Sequence, residues 1–267
     1  MRPSVLILTG YGLNTEDETA YALTVTGARV DKVHLSDVFA KPSILREYEI
    51  LAMIGGFSFG DHIAGGRVLA NRYKYHLSVE LQRFIDDGKL VIGICNGFQS
   101  MADYGLLPGF DGNYEDQSTS LAPNDSGIFE DRWVHLKASP DTRCIFTKGI
   151  GTIQLPIRHG EGKFTAMNRE TLVRLSKDKQ IALRYVDPAT GSPTQDYPLN
   201  PNGSVDAIAG ICDPTGRVFG LMPHPEAYSS PYNHPNWIRQ RLHGELPKEG
   251  LGLQLFRNAV EYIQQHF

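Results

Sequence analysis

Lys89-Leu90-Val91-Ile92-Gly93-Ile94-Cys95-Asn96-Gly97-Phe98-Gln99 runs from an apolar stretch into a polar one, with a cysteine at the junction. Residues 89–94 read as a strand buried on both faces, and Asn96 to Tyr104 as a helix stopped by Gly105. Cys95 therefore falls on a tight strand-to-helix turn, the setting of a nucleophile elbow with cysteine in the place of serine. Each neighbour has a physical use there. Gly93 and Gly97 let other backbone pass without a Cβ clash. The helix N-terminus favours a thiolate, and the Asn96 N–H is left free to face a developing oxyanion. The alternative is a buried structural cysteine. The paired glycines, the strand before and the helix after argue for the elbow, and Cys144 and Cys212 have no such surroundings.

The sequence upstream of this segment alternates strands and helices. Val5 to Leu8, Ala28 to Leu35 and Ile50 to Ile54 are strand-like. Thr15-Glu16-Asp17-Glu18 has the form of a capping box opening a helix through Ala20, Leu23 and Val25 to Gly27. Ser78 to Asp87 reads as an amphipathic helix closed by Gly88. Such alternation builds a parallel sheet with right-handed crossovers, whose functional residues gather at the carboxyl ends of the strands.

Downstream, the chain from Gly105 to Asp206 is rich in Gly, Pro, Asn and Asp. Its strand-like pieces are Trp133 to Ala138, Gly151 to Ile157 and Ile181 to Val186. Ala207 to Cys212 and Val218 to Met222 flank the turn Asp213-Pro214-Thr215-Gly216-Arg217, and Leu253 to Gln265 reads as a closing amphipathic helix. No internal repeat or linker stands out, so residues 1–267 read as one α/β domain with antiparallel strands added to the sheet and a loop-rich insertion over one edge.

Composition narrows the function. The net charge of −4 and the absence of a dense basic run argue against a nucleic-acid binder. Three cysteines are too few and too scattered for a disulfide framework or a zinc knuckle, and suit free thiols in a reducing cytoplasm. No apolar stretch is long enough for a membrane span or a signal-peptide core. A small-molecule or protein partner in the cytoplasm is expected.

Two more segments follow strands. Met222-Pro223-His224-Pro225-Glu226 sets a histidine and a carboxylate two apart, so that Glu226 can orient an imidazole facing the thiol. Alone the motif is weak, but a cysteine nucleophile needs a distant base brought near by the fold. Gly55-Gly56-Phe57-Ser58-Phe59-Gly60-Asp61 matches neither phosphate-loop pattern. It reads either as a flexible turn or as a loop whose N–H groups complete an oxyanion hole.

Together these residues resemble the class I (triad) glutamine amidotransferases, and among them the glutaminase subunits of phosphoribosylformylglycinamidine synthases. The likeness covers nearly the whole chain. It rests on residues 55–61, on Gly93-Ile94-Cys95-Asn96-Gly97-Phe98-Gln99 and on Pro156-Ile157-Arg158-His159-Gly160-Glu161-Gly162. It rests also on Leu183-Arg184-Tyr185-Val186-Asp187, on Asn200-Pro201-Asn202-Gly203-Ser204 and on residues 220–226. The resemblance implies a flavodoxin-like, mostly parallel sheet with helices on both faces and added antiparallel strands.

It implies a triad of Cys95 as nucleophile, His224 as proton shuttle and Glu226 as its orienter, with glutamine as substrate. Gly56 and Asn96 would supply oxyanion N–H groups, within an oxyanion and substrate-binding set of Gly55, Gly56, Phe57, Asn96, Gln99 and His159. No metal and no cofactor are expected in this chain. ATP and magnesium would belong to a separate synthetase subunit that receives the ammonia, accompanied by a small third subunit. Ala64-Gly65-Gly66-Arg67 and residues 228–250 stand apart from the usual pattern. A γ-glutamyl hydrolase, or another protease-like or chaperone-like relative, would share the sheet and elbow, and free glutamine against γ-glutamyl peptides tells them apart. A regulatory subunit that kept only the fold would have lost a triad residue.

Overall fold

A computed structural model describes residues 1–267. The first strand, β1 (Ser4–Thr9), pairs in parallel with β2 (Arg29–His34) and β3 (Ile50–Met53). Between β1 and β2 lies α1 (Glu16–Val25), and α2 (Leu35–Ala40) follows β2. The longest helix, α3 (Arg67–Asp86), returns the chain to β4 (Leu90–Ile94), from which α4 (Asn96–Tyr104) departs. The insertion holds β5 (Thr119–Pro123), β6 (Glu130–Ala138), β7 (Thr152–His159), β8 (Glu161–Ala166), α5 (Arg169–Lys177) and β9 (Ile181–Tyr185). After β10 (Ile208–Cys212) and β11 (Val218–Leu221) come the short α6 (Trp237–Leu242) and the closing α7 (Leu253–His266).

Nine strands form one sheet in the order β2-β1-β3-β4-β11-β10-β9-β6-β7. The five strands from β2 to β11 are parallel, and antiparallel pairing takes over from β10 onward. The last strand in the chain therefore sits at mid-sheet, with Gly220 opposite Gly93 and Leu221 opposite Ile94. The parallel strands carry unbroken apolar runs because both faces are covered: β3, β4 and β11 are buried at every residue. A continuous core of 67 buried residues runs from Val5 to Ile263. At about 25 cal/mol per Å² of apolar surface removed from water, such a core needs no cross-link. All three thiols are indeed free and buried, with Cys212 against Cys144.

Several expectations need correction. The Thr15 side chain makes no cap bond to α1; its Oγ1 instead accepts the Gly55 N–H at 3.1 Å. A tertiary acceptor role has displaced the local capping box. The buried face of α1 is Thr19, Ala22 and Leu23, whereas Val25 is exposed. The helix expected over Ser78 to Asp87 begins 11 residues earlier, at Arg67. Its first half is polar in composition, and Leu69, Tyr73, Leu77 and Leu81 hold it to the core at four-residue spacing. The two-stranded sheet of β5 and β8, together with α2, α5 and α6, lies in stretches that read as loop.

Candidate active site

Cys95 has a strained positive φ, with φ 51° and ψ −106°, between β4 and α4. A non-glycine residue is held there only where its surroundings over-determine it. Here they do: Cys95 N–H donates to the Leu221 carbonyl of β11, and its own carbonyl accepts from Gln99 N–H in α4. A Cβ on Gly97 would stand 1.9 Å from the Met53 carbonyl oxygen, and one on Gly93 would stand 2.1 Å from Met101 Sδ. Both flanking glycines are thus required by close approach, as the sequence indicated. The Sγ lies 3.7 Å from the Arg158 carbonyl oxygen on β7 and is nearly buried.

β11 delivers His224 from the neighbouring strand. Its N–H donates to the Pro156 carbonyl of β7, and its Nδ1 lies 2.5 Å from Glu226 Oε1. Both side chains are buried, at 3% and 2% relative exposure. The remaining ring nitrogen, Nε2, has no protein hydrogen bond, and the Cys95 sulfur is close enough to the ring to raise its pKa. Burial opposes the imidazolium, but the Glu226 carboxylate and the Cys95 sulfur overcome it and push the His224 pKa up to about 10. The arrangement favours a charged imidazole between Glu226 and the Cys95 sulfur.

The loop after β3 contributes donors selectively. Gly55 N–H is taken by Thr15 and Phe57 N–H by the Gly12 carbonyl, so neither is free for an oxyanion. Gly56, at φ 147°, and Asn96, at the head of α4, make no backbone N–H bond. Of the expected oxyanion set, Gly56 and Asn96 thus keep their donors. Phe57 is 44% exposed and its ring approaches that of Phe129 at 6.2 Å. Gly55 has another role, because a Cβ there would stand 2.9 Å from His224 Cε1. Its own φ is not positive, so alanine is locally compatible. Gly55→Ala is therefore expected to fold, at a cost of about 1–3 kcal/mol from crowding the buried ring, while moving His224. Such a displacement costs about 100-fold in kcat/KM for glutamine. A variant with full activity would show that the ring has room to spare.

Gln99 lies one turn along α4 from the nucleophile. Its Oε1 accepts from Asn96 Nδ2 at 2.8 Å and its Nε2 donates to the Glu161 carbonyl at 2.6 Å. Gly65 and Gly66 pack directly on it, with a Cβ at Gly65 only 2.6 Å from Gln99 Nε2. The unusual Ala64-Gly65-Gly66-Arg67 stretch is therefore packed against the start of α4. Asp61, within reach of Glu161 and Asn96, has a raised pKa from burial and then from the Glu161 charge. His159 is brought to the same region and is buried, with Nδ1 on Asn124 Oδ1 at 3.1 Å. Thr15 and Asn124 were missed from sequence. Neither carries a local signal, since threonine before a helix and asparagine in a polar loop are both common. No cluster of His, Cys, Asp and Glu suited to a metal ion is present.

The comparisons with known proteins agree with this geometry. A family model described as a CobB/CobQ-like glutamine amidotransferase domain matches residues 2–263. A Methanococcus maripaludis protein called phosphoribosylformylglycinamidine synthase subunit PurQ is 43% identical, covering 99% of this chain and all of that protein. A protein of the same name from Dehalococcoides mccartyi is 41% identical, covering 97% of each. A chain of the solved structure of PurLQS from Thermotoga maritima superposes with a TM-score of 0.69 at 28% identity, covering 98% of this chain and all of that one. A glutamine amidotransferase structure from the same organism, at 16% identity and a TM-score of 0.55, shares the fold. The elbow cysteine, the buried histidine–glutamate pair beside it and likeness from end to end lead to one conclusion: the chain belongs to the CobB/CobQ-like glutamine amidotransferase family.

Proposed function

We infer that this chain is the glutaminase subunit of a phosphoribosylformylglycinamidine synthase, releasing ammonia from glutamine for a synthetase partner in purine biosynthesis. The observation that carries this reading is the buried pair of His224 and Glu226 beside the elbow thiol, in a chain that matches subunits of that name along their full length.

In this reading the Cys95 thiolate attacks the side-chain amide carbon, and the oxyanion is received by Gly56 and Asn96 N–H groups. The His224 imidazolium gives its proton to the departing nitrogen, so that the C–N bond breaks and ammonia leaves a thioester on Cys95. Neutral His224 then takes a proton from water, which attacks the thioester and releases glutamate. Glu226 holds the imidazole in place and stabilises its charge through both steps. No step needs a metal or cofactor from this chain, and ATP and magnesium are assigned to the synthetase. A small third subunit completes the assembly. The site of action is the cytoplasm, and no helix is long and apolar enough to cross a membrane.

The test is to combine the chain with a synthetase and formylglycinamide ribonucleotide, ATP and magnesium. Glutamine should support amidine formation only when this chain is present, whereas an ammonium salt should support it without the chain. Preferential turnover of γ-glutamyl peptides over free glutamine would instead favour a γ-glutamyl hydrolase.

A further inference from the structure

His159 is buried beside the triad, and the proton transfers above leave it without a task. It is 2% exposed, and its Nδ1 is fixed by Asn124 Oδ1 at 3.1 Å. Asn124 is itself immobilised by four contacts. Its Nδ2 donates to the carbonyls of Ile128 at 3.0 Å and His159 at 2.8 Å, and its Oδ1 also accepts Gly162 N–H at 3.0 Å. With both amide hydrogens spent on carbonyls, Asn124 meets the ring with an oxygen, so Nδ1 must carry the hydrogen. Nε2 is then an unprotonated acceptor, and it has no protein partner.

Burial, reinforced by the positive charge of His224, lowers the His159 pKa to about 3, which keeps the ring neutral. Glycine at 162 leaves space for the ring, since a Cβ there would stand 2.2 Å from His159 Cε1. Along β7, the preceding residue is Arg158, whose carbonyl faces the Cys95 sulfur. A buried acceptor left without any donor costs about 1–3 kcal/mol, so a water or a bound ligand must supply one.

We propose that His159 Nε2 accepts a hydrogen bond from the carboxamide nitrogen of glutamine and so turns that nitrogen's lone pair toward the His224 proton. The inference rests on the glutaminase reading. Its chemistry balances within the same step. The sulfur–carbon bond forms, the His224 proton joins the nitrogen lone pair, and the carbon–nitrogen pair then leaves with nitrogen as the oxyanion re-forms the carbonyl, while the N–H held by His159 stays intact in the released ammonia. His159 takes up no proton.

An ester tests this, because its leaving oxygen has no hydrogen to donate. His159→Leu removes the acceptor and fills the space. Expected is a loss of about 100-fold in kcat/KM for glutamine, with a loss below about threefold for glutamate γ-methyl ester. His159→Gln, which keeps an acceptor oxygen, should recover part of the amide activity. Labelling of Cys95 by a glutamine-analogue diazoketone should proceed near the wild-type rate, because that analogue lacks the amide hydrogens. Equal losses on amide and ester would overturn the proposal, pointing to the hydrolytic water or to general support of the pocket. Should the leucine variant not fold, His159→Phe is read by the same amide-to-ester ratio. Failure of the wild-type chain to hydrolyse glutamine with its synthetase would sink the glutaminase reading instead.

Discussion

Cys95→Ser should lower glutamine-dependent amidine synthesis by about 10⁴-fold or more, while synthesis from an ammonium salt at alkaline pH continues in the same complex. Serine differs by one atom and can hold the elbow conformation, so the fold and the subunit contacts survive. Its hydroxyl ionises far above the range in which a neighbouring histidine can stabilise an anion, so the nucleophile is lost. Cys144 and Cys212 are buried against one another and away from the elbow, so replacing either should leave glutaminase turnover close to wild type. The decisive measurement is the paired assay with glutamine and with ammonium. Wild-type use of glutamine by the serine variant would place the nucleophile elsewhere. Loss of both activities in an assembled complex would place part of the synthetase site on this chain.

The second large effect concerns the base. His224→Ala should remove nearly as much activity as loss of the thiol, since members of a triad act as a unit. Glu226→Gln should cost less, about 10²-fold to 10⁴-fold, because the imidazole remains in place without its counter-charge. The pH profile separates the two roles of Glu226. In the wild type the imidazolium persists until the pH approaches its raised pKa of about 10, and activity falls above that. Without the Glu226 carboxylate, burial no longer meets an opposing charge on that side. The alkaline limb of kcat/KM should therefore move toward neutrality. An unmoved limb in Glu226→Gln would mean that the Cys95 charge alone sustains the imidazolium.

Much of the site could be read from sequence because its parts are local. The elbow is specified by one strand, two glycines and one helix within 16 residues of chain, and each is a short-range signal. His224 and Glu226 share a single turn after β11. What could not be read depends on distant partners. The Thr15 hydroxyl had a plausible neighbour three residues away, yet its bond is to Gly55, 40 residues on. The donors of Gly55 and Phe57 are silenced by Thr15 and Gly12, and no local pattern distinguishes them from Gly56. Asn124 carries four interactions among three segments from a stretch whose composition indicates only a loop. The start of α3 was hidden for another reason: Asn71 to His76 alternates polar and aromatic residues, and packing outweighs that weak amphipathic signal.

The mid-sheet position of β11 also bears on how the enzyme comes into being. Its register with β4 sets Leu221 beside Ile94 across more than a hundred intervening residues. Closing a segment that long costs on the order of 4 kcal/mol in chain entropy, before any term for stiffness. Pairings of this kind form late. During synthesis the elbow half of the molecule emerges from the ribosome well before the strand bearing His224 and Glu226. Until that strand inserts, Cys95 has no histidine beside it, and the gap beside β4 stays open as an unpaired sheet edge. A half-made chain thus exposes an edge prone to aggregate, and the event that covers this edge is the same one that brings His224 to the thiol.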